Sequence, residues 1–545
     1  MSSSSVGGVA QNSATSVLLT LCAAQFLMAL DSSVMNVSIA TVAEDLGTTI
    51  TGIQTAIVLY TLVMAMLMVT GGKIGSIIGR KRVFMIGCVI YCSGSLTTAL
   101  SPNLGWLIFG WSFLEGVGAA LIMPAIVALV AGNFPAEGRP RAYGLVGAAG
   151  AIAVAVGPLI GGLATTYASW RWVFAGEVLV GAGILLLTRR VADAPVDQRP
   201  RLDWFGSVLW AAAMGFVIIA VLRSAEWGWI LPAEGARSVL GMSLTVWFVL
   251  AGFALMLLFL QHVRRREAAG TDPLVSPGLF ANRQMTGGLI MFFFQFLVMM
   301  GLFFAIPLYL SVALGLSAID TGIKLLPMSI TMLVAAAGVP KFFPTVSPRR
   351  VVNIALVVAV VGIIWLFTAM DVEATAEVVT GPLLLIGLGM GGLASQLGAV
   401  TVSAVPDSQS PEVGGLQNTA SQFGASLGTA LTGSILIAAL TASFLTGIDE
   451  NPAVPDEVVA QANVQLSSGG EFISDAQLQT ALQQAGVDEQ TTQAIVDENE
   501  QARVDGLRAT LALLALFALL AMFFTGRVPT EQPGAPPGPD RVANA

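Results

Sequence analysis

Fourteen apolar runs, each long enough to cross a bilayer as a helix, follow one another along this chain and limit its fold more than any other feature. Only 11% of the 545 residues are charged and 55% are hydrophobic, whereas soluble domains carry about 25% charged residues. The sequence therefore predicts an all-α integral membrane protein with about fourteen transmembrane helices. The expected spans are 16–40, 51–71, 83–101, 104–131, 141–166, 171–188, 204–222, 243–262, 284–311, 321–340, 351–369, 377–403, 412–443 and 508–526.

The distribution of positive charge predicts how the spans are oriented. An even number of spans places both termini on one side of the membrane. When successive loops alternate between the two sides, 19 of the 25 Lys and Arg residues fall on the side of the termini. Basic residues favour the cytoplasmic side, so we expect the tails 1–15 and 527–545 to be cytoplasmic.

The segment 447–506 is the longest stretch between two spans, and this topology places it outside the cell. It holds 12 of the 33 acidic residues. Ser474 and Gln477 match a capping box, and Gly486 is typical of a helix C-terminus. A second short helix is expected at Thr492–Val496. This pattern is compatible with a helical hairpin on the outer face and also with a disordered acidic loop.

Two further features have structural interpretations. Asp320 and Lys324 lie four residues apart at the start of a helix, a spacing that favours an ion pair on the surface. Cys22, Cys88 and Cys92 are odd in number and lie in apolar stretches, so we expect free thiols and neither a disulfide nor a metal role.

Three acidic residues, Asp31, Glu115 and Glu177, lie inside predicted spans. A charge at the centre of a bilayer costs about 3 kcal/mol, so such carboxylates are usually functional. We expect them to handle a proton or a cationic solute. The structural alternatives are a carboxylate satisfied by neighbouring hydroxyl groups at Asp31 and, at Glu177, a side chain that reaches water near the outer surface.

Several uncharged polar residues also lie within the spans. They could line a cavity, or they could form hydrogen bonds between helices. These residues are Gln54, Tyr60, Gln295, Gln396, Gln417, Asn418 and Gln422.

Two glycine-rich motifs occur near the membrane surface and within a span. Glycines in the first motif, GGKIGSIIGRKR, are expected to let the backbone turn tightly beside a cytoplasmic basic cluster. In the second, AVGPLIGG, glycines allow helices to pack closely, and proline removes a backbone donor and bends the helix. The residues concerned are Gly72, Gly75, Gly79, Arg80, Lys81 and Arg82 in the first motif, and Gly157, Pro158, Gly161 and Gly162 in the second.

These motifs occur in the order found in the major facilitator superfamily, and the chain resembles its fourteen-helix drug:proton antiporter family. LDSSVMNVSIATV (Leu30–Val42) resembles the family's first-helix signature, with Asp31 and Asn36 at the expected positions. Gly72–Arg82 is similar to the superfamily's loop motif, and Gly150–Gly162 to its antiporter motif. Ser169–Phe174 is similar to the usual start of the sixth helix.

The resemblance implies a fold and a domain organisation. Two six-helix bundles would alternate access to a central cavity, with two further helices inserted between them. The N-terminal bundle would span 16–190, the linker and inserted helices 191–270, and the C-terminal bundle 271–526 with the acidic loop 447–506.

The chain departs from the family pattern at five positions. Ser76 replaces the usual Asp of the loop motif, and Ala153 replaces a glycine. Glu177 stands where the family commonly has Asn. The Arg-x-x-Gln-Gly motif of the fourth helix is here Ser112-Phe113-Leu114-Glu115-Gly116. Because burial opposes ionisation and no arginine lies beside it, Glu115 is expected to hold a proton and to accept a hydrogen bond from Ser112 three residues earlier.

Patterns typical of enzymes have another interpretation here. GASLG (Gly424–Gly428) matches a nucleophile elbow but lies in an apolar run, and the only histidine, His262, lies at the end of another span. GLGMGG (Gly387–Gly392) matches a dinucleotide fingerprint, but no strand precedes it. Both favour close helix packing. We expect no enzymatic activity, no cofactor and no metal.

The sequence thus predicts a proton-coupled exporter of amphipathic, cationic small molecules in the plasma membrane of a bacterium. Its partners would be the small-molecule substrate, protons and membrane lipids but no nucleic acid, and we expect a monomer. Two alternatives remain open at this point. One is an exporter of an endogenous metabolite or lipid with the same fold, and the other is a membrane receptor that does not transport.

Overall fold

The structure is a computed structural model that describes residues 4–134, 139–193, 201–233, 235–372, 374–405, 410–466 and 475–531. Within these residues fourteen helices are long and apolar enough to cross a membrane, with mean hydropathies from 1.3 to 2.6. Each coincides with one of the predicted runs, so the expected number of spans is confirmed.

Sixteen helices are labelled here in chain order. They are α1 (Ser4–Asp45), α2 (Ile50–Ile78), α3 (Arg80–Ala99), α4 (Leu104–Asn133), α5 (Arg139–Tyr167), α6 (Arg171–Leu187), α7 (Trp204–Leu222), α8 (Leu244–Ala268), α9 (Arg283–Leu308), α10 (Ala318–Phe342), α11 (Pro348–Ala369), α12 (Thr380–Val402), α13 (Ser410–Glu450), α14 (Asp456–Leu466), α15 (Asp475–Gln484) and α16 (Glu489–Phe524). Two short antiparallel strands, β1 (Ser238–Val239) and β2 (Met242–Ser243), form a hairpin before α8.

The helices form two bundles with a helix pair between them. In the N-terminal bundle α1 packs along α5, and α3 packs against α4 and α6. In the C-terminal bundle α9 packs on α13, and α12 packs on α10 and α11. The bundles meet where α2 contacts α13 and where α5 contacts α10. The inserted helix α7 contacts both α2 and α13, and α8 packs on α7.

The two ends of the bundle differ in charge, and each is named here by that charge. The basic face contains Gly79, Arg189 and Arg266, where α2, α6 and α8 end. The acidic face contains Asp45 and the two short helices α14 and α15. There Trp170 Nε1 donates a hydrogen bond to Asp45 Oδ2 at 2.9 Å, and Arg171 forms an ion pair with the same carboxylate.

The backbone turns at a single residue of the first glycine motif, Gly79. The sequence suggested that Gly72, Gly75 and Gly79 all lie in a loop, but α2 continues to Ile78 and α3 begins at Arg80. Gly79 has φ +106°, a conformation that side chains disfavour. Gly72 and Gly75 are helical, so that part of the prediction is wrong. The apolar residues between these glycines continue α2 as a helix as far as Ile78.

The second glycine motif, at the acidic half of α5, allows neighbouring helices to approach closely. The Cα atom of Val34 in α1 lies 3.0 Å from the position that a Cβ on Gly161 would occupy. The backbone of Ala318 in α10 lies 2.6 Å from the position of a Cβ on Gly162. A larger side chain at Gly161 would push α5 away from α1, and one at Gly162 would push α5 away from α10 of the other bundle, because packed interiors leave no room for added atoms.

The acidic segment 447–506 is folded wherever the structure describes it. Gly486, at φ +77°, ends α15, as predicted. Thr492–Val496 is not a separate short helix, because α16 starts at Glu489 and runs on through the membrane. An ion pair between Arg503 and Asp475 holds α15 against α16. The predicted cap residue Ser474 lies outside the described residues.

The predicted Asp320–Lys324 ion pair is wrong. Lys324 Nζ instead contacts Glu377 Oε1 at 2.6 Å, in the segment before α12. Asp320 Oδ2 accepts a hydrogen bond at 2.6 Å from Ser317 Oγ, whose oxygen in turn caps the helix at Asp320 N. A capping interaction at the first turn therefore replaces the pair expected from spacing.

The two enzyme-like patterns lie in packed helices, as predicted. Gly424 and Gly428 of α13 face the carbonyl oxygens of Phe293 and Leu297 in α9. Gly387, in α12, faces Met328 of α10 in the same way. Cys22, Cys88 and Cys92 are free thiols, which confirms the prediction.

Candidate functional site

The three predicted intramembrane carboxylates meet at one place inside the N-terminal bundle. Asp31 comes from α1, Glu115 from α4 and Glu177 from α6, and one oxygen from each lies within 4.8 Å of the other two. Their exposed fractions are 0%, 0% and 2%. We call this set the carboxylate trio. The alternative that Glu177 reaches water is therefore wrong for this conformation.

Each carboxylate accepts hydrogen bonds at one oxygen. Trp111 Nε1 donates to Asp31 Oδ1 at 2.8 Å, and Thr98 Oγ1 donates to Glu115 Oε1 at 3.0 Å. Glu177 Oε2 accepts from two donors, Tyr91 Oη at 3.0 Å and Ser95 Oγ at 2.7 Å. The remaining oxygens are buried without a hydrogen bond within the described structure; they are Asp31 Oδ2, Glu115 Oε2 and Glu177 Oε1.

The trio has no basic partner. None of the ion pairs formed by the described residues includes Asp31, Glu115 or Glu177. Removing several like charges from water without compensation costs several kcal/mol per ion, on the order expected for buried unpaired groups. Protons or a bound cation must therefore neutralise much of this charge while the site is closed.

Glu115 is oriented by an irregular stretch of α4. Residues Ile108–Glu115 form a π-helix, a wide turn that occurs frequently at functional sites. The wider turn moves Ser112 away from Glu115, and Ser112 Oγ donates instead to the carbonyl oxygen of Ala56 at 2.7 Å. The predicted hydrogen bond from Ser112 to Glu115 is therefore wrong, because it assumed α-helical spacing.

A glycine of α3 makes room for Glu115. A Cβ on Gly94 would lie 2.6 Å from Glu115 Cγ and 2.7 Å from the backbone nitrogen of Glu115. Such distances do not occur between real atoms, so α3 and α4 approach this closely only because residue 94 lacks a side chain.

Two aromatic rings form one wall of the site. Tyr60 of α2 stacks on Trp111, with ring centroids 4.9 Å apart and an interplanar angle of 10°. The Tyr60 hydroxyl is buried and has no hydrogen-bond partner within the described structure. Tyr60 is thus the uncharged polar residue from the sequence prediction that the structure brings to the trio.

The other predicted polar residues lie elsewhere. Gln54 Nε2 donates to the carbonyl oxygen of Thr429 at 3.2 Å and thereby connects α2 to α13. Asn36 Nδ2 donates at 2.7 Å to the Ser32 carbonyl within its own helix. Gln417 and Asn418 are half-buried on α13, and their side chains make no hydrogen bond to the trio.

Sequence reasoning missed the donors that α3 supplies. Tyr91, Ser95 and Thr98 are spaced at four and three residues, so they share one face of α3. Such a polar stripe inside a span is a detectable signal for contact with a buried polar partner. Trp111 gave no comparable signal, because a single tryptophan in an apolar span does not indicate what its ring nitrogen contacts.

The site is closed in this conformation. A cavity bounded by Met28, Cys88, Tyr91, Cys92 and Gly181 has a volume of about 10 Å³. That volume is about the minimum for one water molecule. A drug-sized molecule does not fit there unless helices move.

The basic cluster after α2 is fixed by an acidic residue from another part of the chain. Asp193, after α6, accepts a hydrogen bond at 2.9 Å from the backbone nitrogen of Lys81, in the first turn of α3. Lys81 Nζ donates to the carbonyl oxygen of Val191 at 2.7 Å. A carboxylate at a helix N-terminus is stabilised by the unpaired N–H groups there. Ser76, at the position where the family motif has Asp, only bonds within its own helix.

Comparisons with known proteins agree with this architecture. The family model of the Major Facilitator Superfamily matches residues 21–429. Puromycin resistance protein pur8 of Streptomyces alboniger is 31% identical over 442 residues, which cover 80% of this chain and 84% of the relative. Multidrug resistance protein Stp of Mycobacterium tuberculosis is 25% identical and covers 93% of this chain and 90% of its own length.

Solved structures show the same fold at low sequence identity. A bacterial homolog of the human lysosomal transporter Spinster, in an inward-facing and unoccupied conformation, aligns with a TM-score of 0.58 and 14% identity, over 94% of this chain and 97% of that one. A D-xylose–proton symporter aligns with a TM-score of 0.55 and 14% identity, over 88% and 99%. The chain is a multi-pass membrane protein and not an enzyme, and it belongs to the major facilitator superfamily of transporters.

Proposed function

We propose that this protein exports amphipathic small molecules, cationic ones in particular, in exchange for protons. The observation that carries the proposal is the carboxylate trio, which is sealed from water and lacks a basic partner. Carboxyl groups in such a site hold protons while it is closed and lose them when water or a cation enters. Protonation of the trio would thus be linked to the opening of the bundle.

The names of similar proteins support export of toxic compounds. Besides the puromycin and multidrug resistance proteins, Cephamycin export protein CmcT of Amycolatopsis lactamdurans is 31% identical and covers 77% of this chain. The relatives span at least three-quarters of this chain, so the comparison includes both bundles. The proposed boundaries of these bundles are 16–190 and 271–526, with 191–270 inserted.

The contacts between the bundles support alternating access as the transport mechanism. On the acidic side, Gly162 packs against Ala318, and Ile319 N donates to Thr166 Oγ1 at 3.1 Å. Gln54 bonds to Thr429 across the same interface. Opening the transporter toward the acidic face would require these contacts to separate, and closing would form them again.

For the cellular location, we propose the plasma membrane of a bacterium, with the basic face and both termini in the cytoplasm. The positive-inside rule supports this orientation. Single cysteines at Thr345 and at Gln479, in a variant without the three native cysteines, test it. An impermeant thiol reagent added to intact cells should label position 479 alone, and labelling at position 345 would invert the orientation. We propose that the protein works as a monomer.

Transport into inverted membrane vesicles tests the proposed exchange. A lipophilic cation should accumulate when a proton gradient is imposed, and the purified protein should release protons when that cation is added. Asp31→Asn should abolish both effects. Glu226→Gln is the matched control, because Glu226 is an exposed carboxylate paired with Arg223. Uptake that does not depend on the proton gradient would contradict antiport.

A second candidate is export of a compound that the cell itself makes. It is favoured by two relatives, the cephamycin exporter and the probable actinorhodin transporter of Streptomyces coelicolor, which is 26% identical over 463 residues. Deleting the gene separates the candidates. If the protein exports drugs, cells without the gene should be sensitive to added compounds. If it exports a metabolite, those cells should retain a product inside.

A further inference from the structure

The carboxylate trio presents more oxygen ligands than its hydrogen bonds use. Each of the three carboxylates has one oxygen held by a donor from α3 or α4 and one buried oxygen without a partner. Hard divalent cations prefer such carboxylate oxygens. The donors fix the orientation of the carboxylates, and the unpartnered oxygens remain available for a ligand.

The Tyr60 hydroxyl is a second and independent observation. Its residue is 1% exposed, belongs to a different helix from the trio and has no hydrogen-bond partner within the described structure. The Tyr60 ring stacks on Trp111, whose Nε1 donates to Asp31 Oδ1, so Tyr60 lies beside the trio. A buried hydroxyl without a partner costs about 1–3 kcal/mol, and an oxygen ligand to a cation would satisfy it.

We propose that the carboxylate trio and Tyr60 form a binding site for a divalent cation of about the size of Ca²⁺. Three oxygens that lie within 4.8 Å of one another have a common point at most about 2.8 Å from each. Ca²⁺ binds oxygen at about 2.3–2.6 Å in flexible geometry, whereas Mg²⁺ needs about 2.0–2.1 Å and a near-ideal octahedron. A small closure of the site is sufficient for the larger ion.

A bound cation would also compensate the negative charge of the trio. Three carboxylates without a basic partner are poorly tolerated away from water, and a divalent ion neutralises two of the negative charges without using a proton. Any part that the ion plays in transport rests on the proposed function. Binding itself does not, because a purified protein that fails to export can still bind calcium.

Equilibrium binding of ⁴⁵Ca²⁺ to the purified full-length protein tests the proposal. The wild type should bind one calcium ion per chain in this site, and Mg²⁺ should compete poorly. Glu115→Gln and Glu177→Gln should each weaken binding by about tenfold or more, as expected for the loss of a ligand. Glu226→Gln should bind as the wild type does, which controls for weak binding at exposed acidic groups.

Terbium luminescence provides a measurement that depends on no variant. Tb³⁺ replaces Ca²⁺ in oxygen sites and emits when a nearby tryptophan absorbs light, and Trp111 donates a hydrogen bond to the trio. Excitation of the wild type should give terbium emission that Ca²⁺ abolishes. Absence of calcium-sensitive emission, or calcium binding that survives in both glutamine variants, would overturn the proposal. Loss of proton-driven export with calcium binding intact would contradict only the proposed function.

Discussion

Two buried carboxyl sites of this protein differ in how their charge is compensated. Asp203, at the start of α7, is 2% exposed, and its side chain accepts hydrogen bonds from Gly206 N at 3.0 Å and from His262 Nε2 at 2.9 Å. Arg266 Nε lies 3.6 Å from the same carboxylate. The trio in the N-terminal bundle is equally buried, yet none of the ion pairs among the described residues includes it.

The difference separates a structural carboxylate from one suited to exchange ions. Asp203 caps a helix and connects α7 to α8, so its charge is balanced whatever the transporter does. The trio stores a charge that the protein alone does not balance, so its state must depend on protons or cations from outside. Both sites are buried, so burial does not distinguish them, whereas their charged partners do.

The largest expected effect comes from removing one charge of the trio. Asp31→Asn should reduce gradient-driven export of cations to background, because the amide keeps the shape of the site and cannot exchange a proton. Gradient-driven export of neutral substrates should fall as well, because the same protons drive it. Vesicle uptake measures both, with the amount of protein checked by immunoblot. Asp203→Asn is the control, and equal losses in the two variants would remove the distinction between the sites.

A second prediction concerns the space for Glu115. Gly94→Ala should destabilise the protein by about 1–3 kcal/mol through overpacking and should displace Glu115, because the added carbon would lie 2.6 Å from Glu115 Cγ. Thermal unfolding and transport should both decline. Gly183→Ala in α6 is the matched control, since no atom lies within 4 Å of its added carbon. Normal transport by Gly94→Ala would show that the site tolerates a shift of α3.

Removing the structural carboxylate should affect stability more than coupling. Asp203→Ala removes the N-cap of α7 and leaves His262 and Arg266 without their partner, so we expect a loss of about 1–2 kcal/mol in the free energy of unfolding. Unfolding of the purified protein followed by circular dichroism measures this loss. The proton dependence of the remaining transport should stay unchanged. A shifted pH profile would place Asp203 in the coupling machinery.

The smallest effect is expected at the partially exposed partner of Asp203. His262→Gln can still donate to the carboxylate, and Arg266 and Gly206 remain, so the loss of stability should be below about 1 kcal/mol. Transport in vesicles should equal that of the wild type between mildly acidic and neutral pH. A large change in that range would mean that the only histidine of the chain regulates the inserted helices.

The sequence was sufficient for the number and positions of the spans because span length and hydropathy are local properties. The arrangement of two bundles was implied by the resemblance to a known family. Apolar runs such as 204–222 coincide with helices, here Trp204–Leu222, since a bilayer requires that length of any crossing helix. Ends of helices were less accurate. α2 continues to Ile78 through its motif glycines, and α16 begins at Glu489, well before the apolar part starts.

Parts of the site could not be read from spacing alone. Asp31, Glu115 and Glu177 were identified because charged residues inside spans are rare, but only the tertiary packing of α1, α4 and α6 reveals that they meet. Ser112 was misplaced because the π-helix changes the register of α4. Lys324 pairs with Glu377, which lies 53 residues away in the sequence. Helical spacing cannot indicate such a partner.

The position of the trio within one bundle has an electrical consequence for the proposed exchange. Its members come from α1, α4 and α6, whereas the interface that must open lies between α2 and α13 and between α5 and α10. A cargo that passes along that interface without entering the trio would leave the number of protons returned per cycle independent of the cargo's own charge. Expelling a neutral compound would carry one more net positive charge inward than expelling a monovalent cation. The membrane voltage would therefore drive the two exports with unequal force.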